Sequence, residues 1–277
     1  MARVVGALTK ATHPIPAAFV TILVGALTGA LGASGWRVII AMIATGLGQA
    51  SVGWSNDYID RLADRAAGRV GKPLVDGALS PKIVIRGAWA CAIASPFVCG
   101  PLGWRPALVM AVGVASAWAY NAFLKRTLLS WLPYSVSFAL LPVFAWLVAR
   151  SEAPPGWVIG CAAGLGAAAH LMNTIPDLES DRRVGMRGIA HQLGARRSLA
   201  VSSSILAAEL LLVVVQTRAL EAPRGSSLAV SSLGAVAVVA TAHAGITGKL
   251  RRGWYLTLVS VATLVGALLL GLDRAGL

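Results

Sequence analysis

Asn56-Asp57-Tyr58-Ile59-Asp60-Arg61-Leu62-Ala63-Asp64-Arg65-Ala66-Ala67-Gly68 is one of two acidic stretches in a chain with few acids. The other is Asn173-Thr174-Ile175-Pro176-Asp177-Leu178-Glu179-Ser180-Asp181-Arg182-Arg183-Val184-Gly185. Both fit the pattern Asn-x3-Asp-x3-Asp-Arg-x2-Gly, the second 117 residues after the first. Each directly follows an apolar run. Agreement at five positions, at the same place relative to a run, is improbable by chance. It reads as an internal repeat of a helical unit.

Outward from these stretches the chain is apolar. Of 277 residues 57% are hydrophobic and only 13% are charged, and the mean hydropathy is +0.73. That composition excludes an ordinary soluble domain, a disordered chain and a collagen-like one. Nine apolar runs of about membrane-spanning length can be marked, near 15–33, 37–56, 83–101, 104–123, 131–149, 156–175, 197–217, 227–247 and 253–271. The expected fold is all-α: a polytopic membrane helical bundle of about nine transmembrane helices, with residues 1–277 forming a single membrane domain. Gly and Ala inside the runs suit close helix packing in lipid. Trp36, Trp104, Trp131, Trp157 and Trp254 fall near run ends, where an amphipathic ring favours the interface. Arg3 and Lys10 before the first run resemble a signal-peptide start, but His13, Pro14 and Pro16 favour a retained helix entrance. Cys91, Cys99 and Cys161 lack metal-ligand spacing and read as small core residues.

The net charge of +13 on a membrane chain reports orientation and anionic lipid rather than nucleic acid. Eighteen of the 24 Lys and Arg residues lie in the N-terminus and in the loops after the even-numbered runs. The other six are Arg37, Arg105, Arg150, Arg218, Arg224 and Arg274. By the positive-inside rule the N-terminus and both acidic loops are cytoplasmic, and nine spans put the C-terminus outside. The implied location is the cytoplasmic (inner) membrane.

Seven of the eleven acids sit in the loops after runs two and six: Asp57, Asp60, Asp64 and Asp76, then Asp177, Glu179 and Asp181. Residues four apart share a helix face, so Asn56, Asp60 and Asp64 form one stripe and Asn173, Asp177 and Asp181 another. Facing carboxylates repel strongly at low dielectric and need cations. Hard carboxylate oxygens with amide support suit Mg²⁺, which keeps waters and bridges to substrate phosphates. A metal-bridged diphosphate fits between two such stripes. Arg65, Lys72, Lys125, Arg126 and Arg182 read either as phosphate ligands or as positive-inside anchors. Asp-Arg-x2-Gly ends each stripe with a helix stop, and Pro176 marks a break or a kink.

These strings resemble the two signature motifs of the UbiA superfamily of intramembrane prenyltransferases. Gly71-Lys72-Pro73-Leu74 to Gly77 is similar to that family's basic-Pro-Leu…Gly segment. Tyr120 to Lys125-Arg126-Thr127 resembles its Tyr…Lys-Arg element, and Gly185 to Leu193-Gly194 the stretch after its second motif. The resemblance implies helices around a central cavity capped by the two Asp-rich loops. It implies an isoprenoid diphosphate held through Mg²⁺ by Asn56, Asp60, Asp64, Asp177 and Asp181, with Asp57 in the motif but off the stripe. Asn173 would join the substrate site, and Lys72, Lys125 and Arg126 would meet phosphate. Leaving diphosphate would be stabilised as the allylic C–O bond breaks, and an aromatic or other lipophilic acceptor would attack the carbocation. Tyr120 reads either as a ring facing that cation or as an interfacial tyrosine. Terpene cyclisation and phosphoribosyl transfer to a polyprenyl phosphate stay open within the superfamily.

Aromatic-acid members of the family often carry Arg at the start of helix one, where this chain has Thr9-Lys10-Ala11-Thr12-His13-Pro14. His170 and Glu209 are ionisable groups at membrane depth and functional candidates by default. His170, three residues before Asn173, reads either as an acceptor contact or as an interhelical bond. Glu209 and His243 read as interhelical bonds. A transporter would place such groups near mid-membrane, whereas these acids cluster at run ends. A CDP-alcohol phosphotransferase has Gly directly after its second Asp, where Arg61 follows Asp60 here. Prenyl chain length, acceptor and oligomeric state are not encoded in any motif of the chain.

Overall fold

A computed structural model describes residues 2–183, 185–217, 225–248 and 250–271. Arg218, Arg224, Lys249 and Arg274, counted above for orientation, lie outside the described residues, as does the C-terminus. Among the described residues every regular element is helical. Helices cover all nine apolar runs: α2 (Pro14–Ala30), α3 (Gly35–Ala66), α4 (Pro81–Val98), α5 (Trp104–Ala122), α6 (Leu132–Arg150), α7 (Gly156–Thr174), α9 (Ile189–Gln216), α10 (Gly225–Ile246) and α11 (Leu250–Gly271). Five helical stretches among the described residues are long and apolar enough to cross a membrane alone, or six when the bent pair Arg3–Ala11 and Pro14–Ala30 counts as one span. The chain is thus an integral membrane protein of helices.

Residues 1–125 and 139–155 form one compact unit. Its first helix, α1 (Ala2–Ala11), is too short to register as an apolar run. It meets α2 at 70°. Pro14 lacks an N–H and its ring disfavours a helical predecessor. His13 accordingly adopts a left-handed conformation with φ 55°. Gly53 lets α1 lie on α3, since a Cβ there would stand 2.7 Å from the Ala11 carbonyl oxygen. Val24, Ala41, Ala44, Cys99, Leu102, Phe144 and Val148 make the main apolar core. Cys99 is buried there as a small core residue, and the three thiols are unpaired.

At 32 residues α3 is about 48 Å long, well beyond the roughly 30 Å hydrocarbon core. Its last turns, with the first acidic stretch, therefore extend past an apolar span. The stretch expected as a loop is helical through Ala66. The Asp-Arg-x2-Gly stop then closes it: Arg69 N–H donates to the Asp64 carbonyl at 3.0 Å and Gly68 N–H to that of Arg65 at 3.1 Å. Gly68 supplies the left-handed turn, φ 64°, that this cap requires. At the opposite end of α3, Arg37 donates to the Val148 carbonyl and Arg150 to that of Leu31.

Residues 126–138 and 156–277 form the second unit. Here α7 runs into a 3₁₀ turn, Ile175–Asp177, and then the short α8 (Leu178–Arg183). Pro176 lies within that turn, so it breaks the helix rather than kinking it. The cap of the first stretch recurs: Met186 N–H donates to the Asp181 carbonyl at 3.0 Å, Gly185 N–H to that of Arg182 at 3.1 Å, and Gly185 has φ 79°. Helix α9 starts at Ile189, before the expected run, and departs from helical geometry at Gly194. Leu171, Met172, Ile175, Leu178, Ala190 and Leu199 pack beneath the acidic stretch.

Candidate active site

In the first unit the acids of α3 meet cations brought by two other elements. Asp57 is 2% exposed and accepts from Lys72 Nζ at 2.5 Å, with His13 Nε2 at 3.3 Å. Asp64 is buried, 3.2 Å from Arg69 Nη1 and 3.8 Å from Lys72 Nζ. Asp60 is ion-paired with Lys125, a lysine only 5% exposed. Asn56 is half-buried on the same helix. The expectation for Asp57 changes: one lysine spans Asp57 and Asp64, seven residues apart on one flank of α3, so Asp57 belongs to the charged cluster.

Local structure places the two lysines. Lys72 begins a tight turn in which the Val75 and Asp76 amides donate to its carbonyl, each at 2.9 Å. Leu74 and Leu79 anchor that loop in a core with Ala11 and Val84. Lys125 follows α5 in a 3₁₀ turn. Asn121, one turn earlier, donates to the Val52 carbonyl and to Ser55 Oγ, both at 2.9 Å, and Trp118 Nε1 donates to Ser51 Oγ at 2.8 Å. These bonds hold the end of α5 against α3. Tyr120 is half-buried beside Asn121.

In the second unit the expected continuous stripe is divided among three pieces. Asn173 ends α7, exposed, and donates to the Tyr134 hydroxyl at 3.3 Å. Asp177 ends the 3₁₀ turn, exposed. Asp181 lies in α8 with Oδ2 3.5 Å from His191 Nε2. Arg182 donates to the His191 carbonyl at 2.9 Å, which ties it to the start of α9. Arg126 is exposed at the start of this unit. His170 is 2% exposed, 3.0 Å from Ser130 Oγ, and its ring lies 5.1 Å from that of Tyr134. Sequence reading missed His191, Ser130 and Tyr134. His191 lies six residues past Gly185, the end of the periodic motif, and no spacing signal marks it.

Glu209 is buried against Gly164, but among the described residues neither carboxylate oxygen has a hydrogen-bond partner, so the expected interhelical bond is not made. His243 is exposed on α10 rather than set between helices. Among the described residues no three His, Cys, Asp or Glu groups form a complete metal cage. The donor set of the first unit is nevertheless hard: the Asp57, Asp60 and Asp64 carboxylates and the Asn56 amide on the last turns of α3, with Lys72 and Lys125 against the carboxylates. It fits an ion such as Mg²⁺ that takes few protein oxygens and fills its shell with water and phosphate.

The UbiA prenyltransferase family profile matches residues 18–254. The digeranylgeranylglyceryl phosphate synthase of Natronomonas pharaonis is 26% identical over 187 residues, 64% of this chain. The match spans 62% of that relative's length. Two solved structures share the fold. One is the apo form of a UbiA homologue from Aeropyrum pernix K1, with TM-score 0.75 and 19% identity, covering 94% of this chain and 98% of that one. The other is a UbiA homologue from Archaeoglobus fulgidus bound to GPP and Mg²⁺, with TM-score 0.70 and 15% identity, covering 98% of this chain and 100% of that one. With the family profile running through both acidic stretches and the loops that carry Lys72 and Lys125, the chain belongs to the UbiA prenyltransferase family.

Proposed function

We propose that this chain is a Mg²⁺-dependent intramembrane prenyltransferase that moves an isoprenoid group from a prenyl diphosphate to a lipophilic or aromatic acceptor. The observation that carries this reading is the pair of matching acidic motifs, the first held on one flank of α3 with Lys72 and Lys125 against it. Asn56, Asp60 and Asp64 of the first motif and Asp177 and Asp181 of the second would hold the metals, and bound Mg²⁺ would neutralise the diphosphate as it leaves. Lys72 and Lys125 then exchange carboxylate partners for phosphate oxygens, and Arg126 adds a third cation. The allylic C–O bond breaks with its electron pair going to diphosphate. The acceptor's nucleophilic atom bonds to the allylic carbon and loses its proton. Tyr120 would stabilise the cation through its ring face. The whole of residues 1–277 works as one membrane domain, with the N-terminus and both acidic segments on the cytoplasmic side of the inner membrane.

A lipid-like hydroxyl acceptor is preferred to an aromatic acid. The entrance to α2 holds Lys10 and His13, and His13 is engaged by Asp57. The Natronomonas relative is named for a glyceryl phosphate product. The test is turnover with a panel of prenyl diphosphates, with and without glyceryl phosphate ethers and hydroxybenzoates. Full activity in chelator, or near-wild-type turnover by both Asp60→Asn and Asp177→Asn, refutes the assignment.

A further inference from the structure

The second motif is supported from below by buried polar groups that no motif announces. His191 is 7% exposed, in the first turn of α9, and its Nε2 points at Asp181 Oδ2 from 3.5 Å. Among the described residues neither ring nitrogen of His191 has a hydrogen-bond partner. An imidazole buried without one is destabilising. The 3.5 Å separation from Asp181 Oδ2 stands at the edge of hydrogen-bond distance, and hydrogen bonds of this kind commonly tighten when a ligand binds. The start of α9 is itself pinned. Ile189 N–H donates to Ser130 Oγ at 3.2 Å, which leaves the Ser130 hydroxyl hydrogen for His170 Nε2 at 3.0 Å. His170 stands on α7 one turn before Asn173, so the same bonds join both ends of the acidic segment.

We infer that His191 is a positioning residue: it holds the Asp181 carboxylate in its metal-binding orientation, on a helix start that Ser130 and His170 keep in register. This rests on the proposed Mg²⁺–prenyl diphosphate site and adds the residue that orients one of its ligands. A ring N–H on one oxygen of a ligating carboxylate fixes that ligand's orientation, the usual role of a hydrogen-bond partner behind a metal ligand.

The experiment measures retention of geranyl diphosphate by the full chain in nanodiscs across a Mg²⁺ titration. Melting temperature is measured in parallel in Mg²⁺-free buffer. His191→Leu is expected to raise the half-maximal Mg²⁺ concentration about tenfold or more, the usual cost of losing such a partner, with little change in the metal-free melting temperature. His191→Gln keeps an N–H donor and is expected to stay within about threefold of wild type on the same scale. His191→Phe keeps the ring without its nitrogens and carries the His191→Leu expectation if that variant fails to fold. An unchanged Mg²⁺ midpoint in the apolar variants, with or without a lowered melting temperature, overturns the inference alone. No Mg²⁺-dependent retention by the wild type overturns the prenyl diphosphate reading and this inference with it.

Discussion

Lys125→Met removes the ammonium opposite Asp60 and keeps most of the apolar stem. Lys125 is 5% exposed and Asp60 23%, so the pair lies between two regimes. Fully exposed pairs contribute about 0–1 kcal/mol. Breaking a fully buried pair costs about 3–5 kcal/mol. With one partner buried and the other in partial contact with solvent, we expect Lys125→Met to destabilise the Mg²⁺-free protein by about 1–3 kcal/mol. Asp60→Asn in the same background should relieve much of that loss, because the uncompensated charge is gone. The assay is reversible unfolding in mixed micelles for the wild type, both single variants and the double variant. A coupling under about 0.5 kcal/mol, the range of independent sites, refutes the idea that Lys125 is the counter-charge of Asp60. The proposed function adds a second expectation. Mg²⁺ should narrow the gap between Lys125→Met and wild type, since the metal replaces the lost charge. Prenyl diphosphate affinity should fall about tenfold or more with loss of one charged hydrogen bond.

Asp57→Asn loses the 2.5 Å bond from Lys72 as an ion pair and weakens the tie to His13. With Lys72 22% exposed and Asp57 2%, it should cost about 1–3 kcal/mol of stability and loosen the α1–α2 elbow, read as faster proteolysis near residues 10–14; wild-type unfolding and cleavage would refute it. Gly68→Ala forces a side chain into φ 64° and should cost about 1–2 kcal/mol, measured by the same unfolding assay. His170→Ala should leave Mg²⁺-dependent geranyl diphosphate binding within a few-fold of wild type if His170 contacts acceptor, with transfer reduced; loss of both with lowered stability would assign it to packing. With Cys91, Cys99 and Cys161 replaced, Ala66→Cys and Met186→Cys should be protected from an impermeant maleimide added outside sealed cells, and labelling there would refute the orientation.

Local properties of the chain were legible in its sequence. Apolar run length located the helices, because a span must satisfy its backbone within itself. The Asp-Arg-x2-Gly strings marked two helix stops, and both close with glycine in the left-handed region. The repeat pointed to the family because its carboxylates stand at fixed local spacing. The helix α1 escaped notice because ten amphipathic residues fall below span length. The break at Ile175–Asp177 was left open, since Pro176 is compatible with a kink or an end. Partners were decided by tertiary structure. Asp60 and Lys125 lie 65 residues apart in sequence, and their meeting depends on Asn121 and Trp118 fixing the register of α5 on α3. The same holds for Asp57 with Lys72 and His13, and for Asp181 with His191. Sequence periodicity states which face of a helix a charge occupies. Which opposite charge lies across from it follows from how close small residues such as Gly53 let the helices approach, and that is settled only when they pack.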